Sequence, residues 1–315
     1  MVATPIGNLE DMTFRAVRVL KEAGLIAAED TRGSIRLLNH FEIKTPMTSY
    51  HEYNKYDKAK FLVGKLLDGQ DVACITDAGT PGISDPGEEL VRMALSSGIR
   101  VVPVPGACAA VNALITSGQP TRRFCFEAFL PSDRKERAAI LEELREETRT
   151  IVLYEAPHRL IRTLRELFDA LGDRSVSLCR ELTKKHETIT KTTISAALEH
   201  FGAQAEGAPD EDISCLPDSG DLPDSGNLPD SGDLPKGSAG TAAEPRGEYV
   251  LVIAGRDRRE LIEEKQAQAR DSMTLPEHMQ YYQDRGMDRK EAMKAVAKDR
   301  GMSKREVYSL LVTEK

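Results

Sequence analysis

Cysteine is sparse in this chain of 315 residues, and its spacing excludes two kinds of stabilising site. The five cysteines form no CxxC pair, and their number is odd. A zinc ribbon or a disulfide framework requires cysteines in close, paired arrangement. We therefore predict reduced thiols and no metal site.

Motifs for common cofactor chemistry are missing too. The sequence contains no GxGxxG, no GxxxxGK[ST] and no GxSxG. Dinucleotide-binding folds, P-loop nucleotidases and serine hydrolases each depend on one of these glycine-rich turns. None of the three classes is supported.

Long hydrophobic runs are also absent. The longest apolar runs have the length of a strand, and no charged and then apolar leader opens the sequence. A membrane-spanning helix needs roughly 20 apolar residues. With 40% apolar residues the chain can still bury a sizeable core. We expect a cytoplasmic protein without membrane contact.

The net charge of -8 is concentrated in one segment. Residues 203–245 carry ten acidic residues and a single lysine, so the rest of the chain sums to about +1. Within it, a Leu-Pro-Asp-Ser-Gly-Asp unit begins at Leu216 and recurs from Leu222, with one Asn, and from Leu228. Such a repeat buries too little surface to offset its ordering entropy. We expect a disordered insert rather than a hexapeptide β-helix, for which three copies are too few.

Outside that segment, strand-length apolar runs alternate with amphipathic helical patterns. Strands are predicted at residues 25–28, 72–76, 100–104, 124–129, 151–154, 176–180, 187–192 and 249–253. Helices are predicted at residues 13–23, 56–67, 88–95, 107–115, 134–146, 160–171 and 194–200. This alternation is typical of α/β domains with mostly parallel sheets. We expect α/β domains at residues 1–118 and 119–255, the second interrupted by the acidic insert, and a helical unit at 256–315.

The first residues predict the end of a strand rather than a whole one. Val2 and Ala3 precede a turn at residues 4–8. Either the first strand is short, or the natural start lies a few residues earlier. The intact mass of the native protein distinguishes the two.

Residues 77–87 form the most distinctive loop, with three glycines, two prolines and two aspartates directly after an apolar strand. Glycine permits left-handed backbone and close approach, proline fixes its own φ, and aspartate supplies acceptors. The composition favours a rigid turn that holds a ligand. An ordinary strand-to-helix connection is the alternative.

Polar side chains follow three other predicted strands, at residues 29–32, 154–159 and 180–187. Singly, such residues are commonly surface ion pairs worth under about 1 kcal/mol. Ligands of open α/β sheets, however, bind at the carboxyl ends of the strands. Together the clusters predict a cleft whose basic side chains suit a phosphodiester backbone. These side chains are Arg32, His158, Arg159, Arg180 and Lys184.

A further strand ends in Pro105 and Gly106 and leads into an alanine-rich helix. Small residues let a ligand lie on the backbone, and the amides at a helix start can receive a carboxylate or a phosphate. Cys108 lies in this stretch. Because no histidine is near it in the sequence, a packing role is favoured over that of a nucleophile.

Residues 274–313 predict short helices with the outline of a helix-turn-helix. Capping boxes begin at Thr274 and Ser303, and glycines at 286 and 301 end the preceding helices. Residues 287–315 carry eight basic against five acidic side chains. This balance favours a nucleic-acid contact over a helical hairpin that docks on the main body.

Five stretches in this order resemble the ribosomal RNA small subunit methyltransferase I family: residues 2–9, 28–32, 77–87, 103–106 and 154–159. The resemblance covers residues 1–202 and 246–315, and the short first strand and the acidic insert depart from the family's pattern. It implies the tetrapyrrole methylase fold, with a cofactor cleft between two α/β domains and, here, a small C-terminal helical unit. It also implies a homodimer that uses S-adenosylmethionine to methylate the ribose 2′-hydroxyl of a cytidine in the decoding region of 16S rRNA, free or in the 30S subunit.

By position, the resemblance implies the residues that contact S-adenosylmethionine. They are Pro5, Asp77, Ala78, Gly79, Ile83, Ser84, Ala107, Cys108, Phe129, Ala156 and Ala254. Backbone groups would hold the adenine and methionine parts, and Asp77 would accept hydrogen bonds from the cofactor.

For the methyl transfer we assign Glu155 and His158 as base or orienting groups. Arg32, Arg159, Arg180 and Lys184 would hold or orient the RNA. Transfer to a ribose oxygen demands alignment first and deprotonation of a very weak acid second. Methylation of a small tetrapyrrole precursor and a non-catalytic rRNA-binding or assembly role stay open as alternatives.

Overall fold

The computed structural model describes residues 1–202 and 245–313. The chain divides into two compact units, Met1–Gly255 and Arg256–Lys315. The repeats predicted to be disordered lie outside the described residues, as does the rest of the acidic insert except Pro245.

A three-stranded parallel sheet organises the first part of the larger unit. Its strands are β1 (Leu25–Ala28), β2 (Met47–Ser49) and β3 (Val72–Ile75), in the order β2-β1-β3. The helices of this part are α1 (Phe14–Glu22), α2 (Thr31–His40), α3 (Lys55–Leu67), α4 (Gly87–Ser96) and α5 (Ala109–Thr116). Because the strands are parallel, the chain turns of residues 29–30, 50–54 and 76–86 all lie at the same edge of the sheet.

The prediction of a strand at residues 100–104 is wrong. The structure has only an isolated bridge there, between Val2 and Val104. Val104 donates its N–H to the Met1 carbonyl, and its own carbonyl accepts from Ala3. Pro103 and Pro105 flank Val104 and have no N–H to donate, so the ladder cannot extend in either direction.

A five-stranded mixed sheet forms the second part of the larger unit. Its strands are β4 (Phe124–Phe129), β5 (Thr150–Glu155), β6 (Ser175–Arg180), β7 (Thr188–Thr193) and β8 (Tyr249–Ile253). Their order is β4-β5-β8-β6-β7, and β8 runs antiparallel to both of its neighbours. The helices are α6 (Arg134–Arg145), α7 (Pro157–Leu171) and α8 (Ile194–His200). The last strand in the sequence is therefore central in its sheet, and all of its residues are buried.

Helix α5 joins the two parts. The sequence places it beside the first sheet, but its Ala110, Ala113 and Leu114 pack against Val152 of β5 and Val252 of β8. The backbone nitrogen of Ala110 also donates to the Tyr154 hydroxyl at 3.1 Å. The opposite face of the second sheet packs on α7 through a larger apolar cluster.

The second unit is helical. It contains α9 (Arg258–Asp271), α10 (Leu275–Gln283), α11 (Arg289–Asp299) and α12 (Lys304–Thr313), of which α9 was not expected from the sequence. The capping boxes at Thr274 and Ser303 are confirmed, since in each the cap side chain and the glutamate three residues later exchange hydrogen bonds. Among the residues described, no helix has both the length and the apolar character that crossing a membrane requires.

Candidate functional site

A cavity of about 360 Å³ opens where strands of both sheets end. Its walls come from the β3 loop, from the start of α5, from the carboxyl ends of β5 and β6, and from the amino end of β8. We call this space the strand-end cavity. Its volume lies within the range of small-molecule sites.

The loop at residues 77–87 forms one wall and is tied to the first residues of the chain. Thr4 and Gly79 exchange two backbone hydrogen bonds, of 2.9 and 3.1 Å. Gly79 has φ +84°, and a Cβ there would lie 3.0 Å from the Ile6 side chain. A left-handed glycine therefore lets the loop lie directly on the turn after Ala3.

Asp85 shapes the same loop from inside. Its carboxylate accepts hydrogen bonds from the backbone nitrogens of Gly82 at 2.7 Å, Ile83 at 3.3 Å and Gly87 at 2.7 Å. Between these residues Ser84 adopts φ +62°, which costs a non-glycine residue about 1 kcal/mol or more. The loop is therefore held in one conformation before any ligand arrives.

Two carboxylates stand at the ends of β1 and β3. Asp77 accepts the backbone N–H of Asp30 through Oδ1 at 2.8 Å, and Glu29 accepts the Thr76 hydroxyl at 2.7 Å. Both carboxylates line the cavity. Asp30, in contrast, caps α2: its carboxylate accepts a hydrogen bond from the backbone N–H of Arg32. This hydrogen bond lowers the pKa of the Asp30 carboxyl.

Glu155, the last residue of β5, is buried and fully engaged. One carboxylate oxygen accepts the Ala156 N–H at 2.9 Å and lies 3.3 Å from Nε of Arg159, and the other accepts the Thr163 hydroxyl. Arg159 in turn donates to the Leu130 carbonyl at 2.7 Å. These contacts fix the junction of β5 and α7 against the end of β4. The cavity-facing backbone at Ala156 is thereby held in place.

Lys184 forms a small ionic cluster on the opposite side. Its Nζ lies 2.9 Å from Glu181 and 3.0 Å from Glu248. Burial raises the pKa of Glu181, but the Glu248 N–H and the Lys184 ammonium outweigh it, and the net pKa lies below its ordinary value. Burial lowers the pKa of Lys184, and its two carboxylate partners more than reverse this. Glu181 and Lys184 are therefore both ionised at neutral pH.

Strained backbone is concentrated around the cavity. Five non-glycine residues of the described ranges have positive φ. Ser84 and Glu181 line the cavity, while Ala128 and Thr183 directly adjoin lining residues. Ala128 also marks a bulge in the pairing of β4 with β5. Such conformations persist where the surroundings enforce them, commonly at ligand sites.

The charge of the cavity is negative. Six carboxylates line it, and Lys184 is the single basic residue among the lining residues in the described part of the chain. The carboxylates belong to Glu29, Asp77, Asp85, Glu155, Glu181 and Glu248. An arrangement of this kind attracts an organic cation and disfavours an anion such as a phosphate.

Most residues predicted to contact a cofactor do line this cavity. They are Asp77, Ala78, Gly79, Ile83, Ser84, Cys108, Phe129 and Ala156. Pro5 and Ala107 lie behind the lining: Pro5 is buried, and the Ala107 carbonyl accepts the Thr80 hydroxyl at 2.9 Å.

Ala254 was also predicted to contact the cofactor, but it does not line this cavity. It follows Ile253, which pairs with Ile151 at the start of β5, whereas the cavity lies at the other end of that strand. β8 runs antiparallel to β5, so its first residues, Tyr249 and Val250, face the cavity. Four residues of strand place Ala254 about 14 Å from Val250.

Of the residues assigned to methyl transfer, the cavity lining includes Glu155 and Lys184. The others lie outside it. Arg32 lies in the first turn of α2 with its side chain 94% exposed, and His158 is exposed in the first turn of α7. Arg180 donates to the Arg246 carbonyl at 2.6 Å. Arg159 is held by Glu155 and Leu130, as described above. None of these four is among the residues that line the cavity.

Several lining residues were not among the predicted contacts, notably Glu29, Tyr154 and Tyr249. Glu29 and Tyr154 stand in the polar clusters at strand ends, so their position was a usable signal. No sequence signal pointed to Tyr249, because its position at the cavity depends on the direction of β8. Burial, followed by the neighbouring Cys108, raises the pKa of Tyr154 to about 12, so its phenol stays neutral.

A second cavity, of about 260 Å³, lies beside Val2 and Cys74. Its lining is mostly apolar, with Val72, Leu90 and Ala94 among its walls. It lacks the convergent carboxylates and the strained backbone of the strand-end cavity. We therefore place the functional site in the latter.

Comparison with known proteins agrees with this fold. The profile of the Tetrapyrrole (Corrin/Porphyrin) Methylases matches residues 1–198. A solved diphthine synthase superimposes with a TM-score of 0.51 at 10% identity, covering 82% of this chain and 90% of its own, which supports the fold alone.

Curated relatives extend the match over nearly the whole chain. The ribosomal RNA small subunit methyltransferase I of Halalkalibacterium halodurans is 42% identical over 310 residues, which covers 98% of this chain and 93% of the relative. The protein of the same name from Synechocystis is 40% identical over 314 residues, covering 98% and 95%. With the two sheets, the strand-end cavity and the helical C-terminal unit in place, the chain belongs to the ribosomal RNA small subunit methyltransferase I family and has the tetrapyrrole methylase fold.

Proposed function

We propose that the chain transfers a methyl group from S-adenosylmethionine to the ribose 2′-hydroxyl of a cytidine in the decoding region of 16S rRNA. The observation that carries this proposal is the acidic strand-end cavity in a member of a family of rRNA methyltransferases. When bound, S-adenosylmethionine supplies an electrophilic methyl group on a positively charged sulfonium. Six carboxylates and rigid backbone around 360 Å³ suit such a cation.

The residues of the cavity contact the methyl donor from two sides. Asp77 and the loop residues Ala78, Ile83 and Ser84 contact the methyl donor from one side. Cys108, Phe129 and Ala156 enclose it from the other. Because Gly79 and Asp85 fix the loop in advance, little ordering has to accompany binding, and the donor can be aligned for in-line attack.

Glu155 acts by positioning rather than as the base. Both of its carboxylate oxygens already have partners inside the protein. His158 lies three residues further on, exposed in the first turn of α7, where RNA at the mouth of the cavity could meet it. We assign to His158 the orientation of the ribose hydroxyl or the acceptance of its proton.

The RNA would be held outside the acidic cavity, by basic side chains at the strand ends and by the helical unit. Arg32 and Arg180 lie at carboxyl ends of strands, and α11 and α12 carry six of the eight basic residues of residues 287–315. Neutralising phosphates makes binding salt-dependent. Arg32→Ala or Arg180→Ala should therefore weaken RNA binding and flatten its dependence on salt.

The test is transfer of tritiated methyl from S-adenosylmethionine to 30S subunits and to free 16S rRNA from a strain that lacks this modification. Label in a cytidine ribose of the decoding region supports the proposal. Label only in a tetrapyrrole precursor supplied in parallel would instead make the chain a tetrapyrrole methylase, and no label in either would leave an RNA-binding factor. A homodimer in the cytoplasm completes the proposal, and light scattering of the purified protein measures its mass.

A further inference from the structure

Tyr53 is almost entirely exposed, with 98% of its surface accessible. It lies in a 3₁₀ turn, Glu52–Asn54, that directly follows β2. A large aromatic side chain left in water contributes nothing to the core. A single exposed aromatic residue is common on protein surfaces, whereas a group of them is characteristic of a surface that binds a partner.

The turn that carries Tyr53 is rigid. The backbone nitrogen of His51 donates to Asn54 Oδ1 at 2.9 Å, and the backbone nitrogen of Asn54 donates to the His51 carbonyl at 3.0 Å. The side chains of His51 and Asn54 also meet, with 3.2 Å between Nε2 and Nδ2. The tyrosine is therefore presented from a fixed base, which lowers the entropic cost of binding.

The same turn is anchored to the strand-end cavity. Tyr50 is buried, its N–H donates to the Ala28 carbonyl at 2.7 Å, and its hydroxyl donates to the Pro86 carbonyl at 2.7 Å. Pro86 belongs to the cavity loop, and Ala28 precedes Glu29 in the cavity wall. Three residues of chain and one interstrand spacing then place Tyr53 within roughly 15 Å of Glu29. That distance corresponds to a few nucleotides of a single strand.

Lysines are interleaved with aromatic rings beside Tyr53. Tyr56 is 59% exposed, and Lys55 Nζ lies 5.3 Å from its ring centroid. Further along α3, Lys58 Nζ lies 4.7 Å from the centroid of Phe61, which is also exposed. Residues 51–65 contain four lysines and two acidic residues. Lys55 pairs with Glu52, and Lys60 pairs with Asp57. The net charge of residues 51–65 is therefore +2, carried by Lys58 and Lys65, in contrast to the acidic cavity next to it.

We propose that Tyr53 and Tyr56, with the lysines of α3, form a platform on which bases of single-stranded rRNA next to the methylated nucleotide stack. The inference rests on the proposed function and names the surface that holds its substrate. Aromatic faces accept any base, and the lysines neutralise phosphates. A second copy of the chain fits less well, because lysine is depleted in the cores of protein interfaces.

The absence of tryptophan from the chain provides a direct probe. Tyr53→Trp creates a single tryptophan that can still stack, and Leu67→Trp is its matched control, 63% exposed at the other end of α3. We expect a decoding-region RNA fragment to quench the emission of Tyr53→Trp and to leave that of Leu67→Trp unchanged. Unchanged emission from Tyr53→Trp while that variant still methylates RNA would overturn the platform but not the proposed function. Emission that changes with protein concentration alone would overturn it in favour of a self-association surface.

A kinetic test separates stacking from folding. Tyr53→Ala should raise KM for RNA roughly tenfold, with kcat and the Kd for S-adenosylmethionine unchanged, whereas Tyr53→Phe should behave as the parent protein. An unchanged KM in Tyr53→Ala contradicts the platform. If the parent protein methylates no RNA at all, it is the proposed function that fails, and the two failures are therefore distinguishable.

Discussion

The carboxylate of Asp77 accepts a hydrogen bond from the backbone nitrogen of Asp30 at 2.8 Å, which ties β1 and β3 together just beyond their last paired residues. Asp77 thus has a structural partner as well as a surface that faces the strand-end cavity. The two roles can be separated, because an asparagine oxygen can still accept the Asp30 N–H but carries no charge.

Asp77→Asn should raise the Kd for S-adenosylmethionine about tenfold and leave the melting temperature unchanged, since only a charge-assisted contact is weakened. Asp77→Ala should raise the Kd at least as much and also lower the melting temperature. Calorimetric titration and thermal unfolding measure the two effects. Equal cofactor affinity in the parent and in Asp77→Asn would remove Asp77 from the binding site.

Gly79→Ala tests whether the cavity loop needs its close approach to Ile6. The substitution forces a left-handed alanine and places a Cβ 3.0 Å from Ile6 and 3.3 Å from the Ala107 carbonyl. Gly69→Ala is the control, because Gly69 has nearly the same φ, +85°, with nothing within 4 Å. We expect about 1 kcal/mol of destabilisation in the control from backbone strain alone, and more in Gly79→Ala, together with weaker cofactor binding. Urea unfolding and cofactor titration of both variants check this, and identical losses would contradict it.

Glu155→Gln tests the positioning role of a buried carboxylate. Removing the charge leaves Arg159 without its carboxylate partner and rearranges the hydrogen bonds to Thr163 and Ala156, so stability should fall by about 2 to 4 kcal/mol. Glu142→Gln is the matched control: its partner Arg145 is exposed, and a change within about 0.5 kcal/mol is expected. Denaturant midpoints give the comparison. A variant that keeps full stability yet loses methyl transfer would restore Glu155 as the base.

The helical unit should lose stability as the pH falls through 6.5. His278 of α10 is buried, and burial followed by the Arg300 guanidinium lowers its pKa, against the opposing effect of Asp299. Arg300 Nε donates to His278 Nδ1 at 3.1 Å, a contact that requires that nitrogen to be unprotonated. The other groups facing the ring are Arg270, from α9, and Tyr282. The unfolded chain thus binds a proton near pH 6.5 that the folded unit binds only at lower pH, so stability declines with falling pH.

Hydrogen exchange of α10 and α11 between pH 7.5 and 5.5, corrected for the intrinsic exchange rate, measures this effect. Protection should fall in the parent protein, while His278→Gln, which cannot titrate, should show no comparable fall. Protection that is independent of pH in both proteins would contradict the assignment.

The sequence was sufficient to locate one edge of the site. Alternating strands and helices place the carboxyl ends of the parallel strands β1 and β3 together, so Glu29 and Asp77 could be grouped from the chain order alone. The glycines and aspartates of residues 77–87 also predicted a rigid loop. Asp85 holds it by accepting backbone hydrogen bonds, and Gly79 allows its close approach to the Thr4 backbone.

What the sequence could not supply is strand direction and partnership. The sequence of Tyr249–Ile253 does not indicate that this strand runs antiparallel to β5. Because it does, Tyr249 rather than Ala254 lies at the cavity. Similarly, the small residues of α5 fit either sheet, and only the packing of Ala110 and Ala113 on the second sheet decides. Val104 fits a strand pattern, yet its two flanking prolines limit it to a bridge.

The central place of β8 also sets the order in which the protein can be completed during synthesis. β5 and β6 are synthesised before β8 and do not pair with each other. Each pairs with β8, which lies between them and ends at Ile253. At about 5 to 20 residues per second, the ribosome needs roughly 4 to 15 seconds to pass from the end of β6 to the end of β8. During that interval the nascent chain carries two open strand edges, the feature that invites mispairing between chains. We therefore expect translation speed over this part of the message to affect the yield of folded protein, independently of how stable the finished protein is.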